Sequence, residues 1–221
     1  MIFAFLLPFI AVFIGAGIAF YFKPKTPQGM KLILAFSGAF LLAILLLEML
    51  PQVYQEGNKI TGLYILGGIL FQILLEFLSK GAEHGHTHHA HQKFPVVMLI
   101  SLCIHAFLEG MPLGNQLALL WGVSVHKIPI GLVLCALLLQ SKVNFFTKII
   151  SLGGFALMSP LGSYIALAIE TNTIKFFVEP FVVGILFHIS TTILFESSEG
   201  HNFNLQKFLA ILIGIGTASL L

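Results

Sequence analysis

The stretch VVMLISLCIHAFLEGMPL, residues 96–113, is an almost unbroken apolar run that contains two ionisable side chains, His105 and Glu109, four residues apart. A run of about 20 residues with so few charges reads as a helix crossing a bilayer. At i and i+4 the imidazole and the carboxylate share one helical face, about one turn apart. In a soluble helix the plain reading would be a buried histidine and acid bonded to each other or to Lys127. In a membrane span each polar group raises the cost of insertion, so the pair marks a path for an ion or substrate. A second polar break, His126-Lys127-Ile128-Pro129, interrupts the next apolar run. Pro129 lacks an N–H and frees the carbonyl of Val125. Backbone loosened at that depth is tolerated where it lines a polar cavity. Two imidazoles and a carboxylate suit a divalent transition metal, and three protein ligands with an open fourth position suit an ion that must leave again.

The rest of the chain has the same character. Of its 221 residues 57% are hydrophobic and 9% charged, against about 25% charged in soluble domains. The fold class expected is an all-α polytopic membrane protein, a single transmembrane domain over residues 1–221. Eight spans are expected: roughly Ile2–Phe22, Leu32–Leu50, Ile60–Leu78, Val96–Leu113, Leu117–Gln140, Lys148–Ile169, Phe181–Phe195 and Leu205–Leu221. The seventh is short and is allowed to begin near Phe176. Pro51 is read as closing the second span. The short link Pro112 to Gln116 should make spans four and five antiparallel neighbours, with their polar motifs side by side. Paired glycines (Gly15 and Gly17, Gly67 and Gly68, Gly153 and Gly154, Gly214 and Gly216) permit close helix approach.

Every base is Lys and every acid is Glu, with a net charge of +2. That balance excludes a nucleic-acid partner and leaves the lipid bilayer and a metal ion; a homodimer is compatible with it. Lys23, Lys25, Lys31, Lys80, Lys93, Lys142, Lys148 and Lys207 follow odd-numbered spans, whereas only Lys59 and Lys175 follow even-numbered ones. Lysine excess marks the cytoplasmic side, so both termini should lie outside the cytoplasm. The first run has no basic n-region and no small-residue cleavage site, so it reads as a retained span. That fits a multi-pass protein of a bacterial inner membrane. Cys103 and Cys135 lie in apolar runs and read as packing residues, without a disulfide.

Residues 80–94 form a cytoplasmic loop carrying His84, His86, His88, His89 and His91, a composition that binds metal. Further candidates are His188, a mid-span pathway ligand, and Glu48 and Glu76, which near span ends can reach the interface by snorkelling.

His-x-x-x-Glu-Gly in span four, followed by His-x-x-Pro-x-Gly in span five, resembles the ZIP (Zrt/Irt-like) family of divalent metal transporters. The likeness extends to eight spans, outside termini, the histidine-rich loop after span three, and Glu48 shortly before Pro51. The resemblance implies a 3+2+3 helix arrangement with the metal path between spans four and five, and a first metal site of His105, Glu109 and His126. The family usually has other residues where Ala106, Leu108, Lys127, Ile130 and Ser159 stand. A bridging second metal site therefore looks dismantled, with Lys127 supplying a cation where the second ion would sit. One divalent ion beside Glu109 already leaves a local charge of +1. At ~5 Å and an effective dielectric of ~20, each unit pair is worth ~3 kcal/mol, so a second ion is opposed. Lys127 should pair with Glu109 while the site is empty.

The expected function is transport of a divalent transition metal, Zn2+ first, toward the cytoplasm through this single-ion site; iron, manganese, cobalt, nickel and cadmium are also open. Two alternatives stand beside it. One is an intramembrane zinc hydrolase on His105, His126 and His188 with Ser190 nearby, although no His-Glu-x-x-His pair is present. The other is a metal sensor that binds without transporting.

Overall fold

The computed structural model describes residues 2–22, 27–57, 59–79, 96–114, 116–169, 171–196 and 204–221, and the described residues are helical throughout apart from short links. The helices are α1 (Ile2–Phe22), α2 (Pro27–Ile44), α3 (Leu50–Glu56), α4 (Thr61–Ser79), α5 (Val96–Gly110), α6 (Leu117–Gln140), α7 (Phe145–Ala166), α8 (Thr171–Thr173), α9 (Glu179–Glu196) and α10 (Leu205–Ala218). The stretches Gly29–Gln55, Thr61–Ser79, Val96–Gly114, Leu117–Gln140, Phe145–Ala166 and Thr171–Phe195 are long and apolar enough to cross a membrane, while Phe5–Tyr21 and Leu205–Ala218 are shorter apolar helices. The exterior is apolar, as hydrocarbon requires: Phe77 is 79% and Leu70 67% exposed. The interior holds Glu109 and Lys127, the reverse of a water-soluble domain.

Two expected boundaries are corrected. Pro51 does not close the second span: a π-helical turn, Leu45–Met49, joins α2 to α3, which continues to Glu56. The wider turn carries the Leu50 N–H to the Leu45 carbonyl, so the chain passes Pro51, which has no donor to offer, without a break. The seventh span likewise starts ten residues before Phe181. A second π turn, Ile174–Val178, links α8 to α9 just ahead of Pro180. Asn144 and Asn204 cap α7 and α10, accepting from the backbone N–H of Thr147 and Lys207.

The helices sort into two packed groups. α1 lies on α6 and α7, and α5 on α7; α2 lies on α10 and α9, and α4 on α9. α2 against α6 and α4 against α5 join the groups. As the short link predicts, the polar motifs of α5 and α6 come side by side, Lys127 pairing with Glu109 and His126 standing near His105, although the closer backbone packing of these helices is with α7 and α1. Met111–Gly114, a 3-10 turn, lets the chain swing away before α6 begins.

Glycines set the close pairs. A β-carbon at Gly15 would overlap the Ile128 carbonyl, and one at Gly131 would lie 2.9 Å from the Val12 Cα. Gly68 and Gly184 face the carbonyls of Phe181 and Ile65 in the same reciprocal way. Of the expected glycine pairs, Gly15, Gly68 and Gly214 make such approaches, whereas Gly17, Gly153, Gly154 and Gly216 face open space. Cys103 and Cys135 are free thiols.

Candidate metal centre

The gap between α5 and α6 is bridged by polar side chains rather than by backbone packing. His105 and Glu109 project from α5, and His126 and Lys127 from α6. The first three are 0% exposed and Lys127 is 1% exposed. Glu109 is the hub. Its Oε2 lies 3.1 Å from His105 Nε2, a charge contact rather than a well-directed hydrogen bond, and its Oε1 pairs with the Lys127 ammonium. The expected Lys127–Glu109 pairing is therefore present. The His105 and His126 rings stand edge to face with centroids 6.5 Å apart. His105 Nδ1 is buried with no hydrogen-bond partner among the described residues, so the imidazole keeps an unsatisfied nitrogen.

α7 supplies the back wall. Ser159 Oγ donates to the Ala106 carbonyl at 2.9 Å and sits 3.4 Å from Glu109 Oε1. Phe155 presents its ring to the Lys127 ammonium, 4.6 Å from the centroid, within cation–π range. Two buried apolar clusters draw on the same helices. One contains Leu113, Leu119, Val123, Val182 and Leu186. The other contains Leu102, Ile130, Leu134, Leu138 and Phe155.

Among the described residues no three His, Cys, Asp or Glu side chains converge as a ready-made metal cage. The ammonium of Lys127 is the cation paired with Glu109. A divalent ion would have to displace that ammonium to reach the carboxylate and the two imidazoles.

Other sequence candidates go elsewhere. His188 does not join the cluster; its Nε2 lies 2.6 Å from Glu76 Oε2, pairing α9 with α4. Glu76 thus turns inward to a histidine instead of snorkelling. Glu48 is exposed in the π turn. Ser190 bonds the Phe187 carbonyl, so no His105–His126–His188 constellation with a serine beside it exists. His84, His86, His88, His89 and His91 lie outside the described residues. Nothing in the sequence signals that Phe155 meets the Lys127 ammonium or that Gly110 and Gly162 let α5 and α7 approach closely: Phe155 carries no polar group, and Gly110 stands out only as part of a motif.

The family model for the ZIP zinc transporter matches residues 83–221, well over half of the chain. Among curated proteins, "Zinc transporter ZIP1" of Danio rerio is 36% identical over 104 residues, covering 42% of this chain and 34% of that protein. The chain therefore spans about a third of the length of that relative. The family is one of transporters and not of enzymes, which sets the hydrolase reading aside. With the matched region spanning both polar motifs, the chain belongs to the ZIP zinc transporter family, as a multi-pass membrane protein.

Proposed function

We propose that this protein moves a divalent transition-metal ion, zinc foremost, across the membrane toward the cytoplasm, one ion at a time, through a site made by His105, Glu109 and His126. The observation that carries the reading is a fully buried carboxylate holding an imidazole on one side and an ammonium on the other, with a second imidazole alongside. A buried acid needs a cation, and here Lys127 supplies one that is tethered. When a metal ion enters, the imidazoles and Glu109 become its ligands and Lys127 must swing away. The tether also discourages a second ion. The lysine asymmetry favours eight spans with both termini outside. Loss of oxygen ligands relative to the family pattern, at Ala106, Ile130 and Ser159, favours zinc over harder ions.

Zinc flux into proteoliposomes tests the reading. The wild type should accumulate zinc, and His105→Ala should lose at least about tenfold, the lower bound for disturbing a metal's immediate support. A protein that binds zinc with His105 and Glu109 but carries no flux would be a sensor. That outcome would overturn transport.

The histidine loop is supplementary in this reading. Alanine at His84, His86, His88, His89 and His91 together should leave zinc flux within about twofold, because flexible His-rich tracts bind metal without fixed geometry. Abolished flux in that variant would make the loop an obligatory station.

A further inference from the structure

One buried acid plays no part in the centre described above. Glu179 begins α9, directly after the π turn Ile174–Val178, and is only 3% exposed. The side chain of Gln116 bonds its carboxylate, and Lys175 lies one turn back along the same helical rod. Its Oε2 is buried with no hydrogen-bond partner among the described residues. Gln116 immediately precedes α6, in the link between the two helices that carry the metal centre. Val182 and Val183, one turn on from Glu179, share a buried apolar cluster with Leu113 and with Val123, which lies one turn before His126 and Lys127. Glu179 is thus separated from the centre by one apolar layer, on the side that the lysine asymmetry assigns to the outside.

A carboxylate oxygen buried without a partner is expensive. The Lys175 charge acts on Glu179 but leaves its Oε2 without a hydrogen-bond partner among the described residues; an intramembrane acid of this kind calls for a closer cation, and π turns recur at functional positions. We infer that Glu179 and Gln116 form a second cation site, an outer station that takes a divalent metal ion through carboxylate and amide oxygens before it crosses the Leu113–Val123–Val182 layer. The role as a station on a path rests on the proposed transport; the ability to bind an ion does not. Two oxygen donors make a weaker site than imidazoles and carboxylate together, as suits a position from which the ion moves on.

Glu179→Gln removes the charge but keeps an amide oxygen that can still accept from Gln116, so it separates cation binding from tethering. In proteoliposomes the half-saturating external zinc concentration should rise about tenfold, equivalent to about 1.4 kcal/mol, with the maximal rate little changed. Gln116→Leu should raise it too, by less. A lower maximal rate and lower thermal stability with half-saturation unmoved would mean a purely structural contact and would overturn the site. A second arm needs no transport. Equilibrium dialysis with zinc is run on the full chain carrying His105→Ala and alanine at the five loop histidines, with and without Glu179→Gln. Bound zinc that disappears with Glu179→Gln supports the site even if the wild type carries no flux; no difference between the two chains overturns it.

Discussion

Glu109→Gln should reduce zinc flux by at least about 100-fold, the upper end of what disturbing a metal's immediate surroundings costs. It should also destabilise the protein, because Lys127, 1% exposed, loses its only close carboxylate among the described contacts. Removing one partner of a buried ion pair costs about 3–5 kcal/mol, most of it the penalty of the charge left behind. Lys127→Met should be similarly destabilising, since it strands Glu109. The double variant carrying both changes should recover most of the stability, because replacing a buried pair with neutral side chains is often neutral or favourable. Its flux should stay lost, because the carboxylate proposed as a ligand is gone. Thermal unfolding in detergent reads the first quantity and proteoliposome uptake the second. A double variant as unstable as the sum of the singles would show that the two residues do not act as a pair. Wild-type flux in Glu109→Gln would remove the acid from the ion's path altogether.

That pair shows how far the sequence could be read. His105 and Glu109 were legible because helical spacing is arithmetic: i and i+4 must share a face. Lys127 opposite Glu109 was legible from charge, since neither could be buried alone. Six of the expected spans were legible from hydropathy; the first and last are shorter apolar helices among the described residues. What was not legible was how the helices choose neighbours. The short link between α5 and α6 made their polar motifs neighbours, but it did not say that the closest backbone packing would be α5 on α7 and α6 on α1. Glycine placement decides this, and a glycine in a membrane helix does not announce which of its neighbours comes close. Gly153 and Gly154 look like a packing pair and face open space, while Gly131, Gly162 and Gly184 stand singly and each meet a backbone. Pro51 reads as the end of the second span because proline normally stops a helix, whereas the seventh span, allowed to begin before Pro180, starts earlier still at Thr171. A π turn just ahead of Pro51 and of Pro180 carries the chain past each. His188 looked like a pathway ligand because its partner, Glu76, is 112 positions away in the chain.

Gly110→Ala should be strongly destabilising and should also impair zinc flux. In a helix, alanine is normally better than glycine by about 1 kcal/mol, so an ordinary site would gain. Here the new β-carbon would overlap the Ser159 carbonyl oxygen and lie 2.6 Å from the Ser159 Cα and 2.8 Å from its carbonyl carbon. Those atoms are backbone and cannot rotate aside. The contact is reciprocal, since a β-carbon at Gly162 would strike the Phe107 carbonyl. Overpacking costs about 1–3 kcal/mol, occasionally more, and two backbones forced apart belong at the upper end. The separation also reaches the metal centre: Gly110 follows Glu109 directly, and Ser159 touches both Glu109 Oε1 and the Ala106 carbonyl. Flux should therefore fall by more than the loss of folded protein explains, because supporting contacts about 1 Å out of place leave a site too loose to work. Gly153→Ala and Gly216→Ala, each into open space, are the controls and should be neutral or stabilising. If Gly110→Ala melts where Gly153→Ala does, then α5 and α7 are not clamped at this crossing, and the wall that holds Glu109 in place is not where the structure puts it.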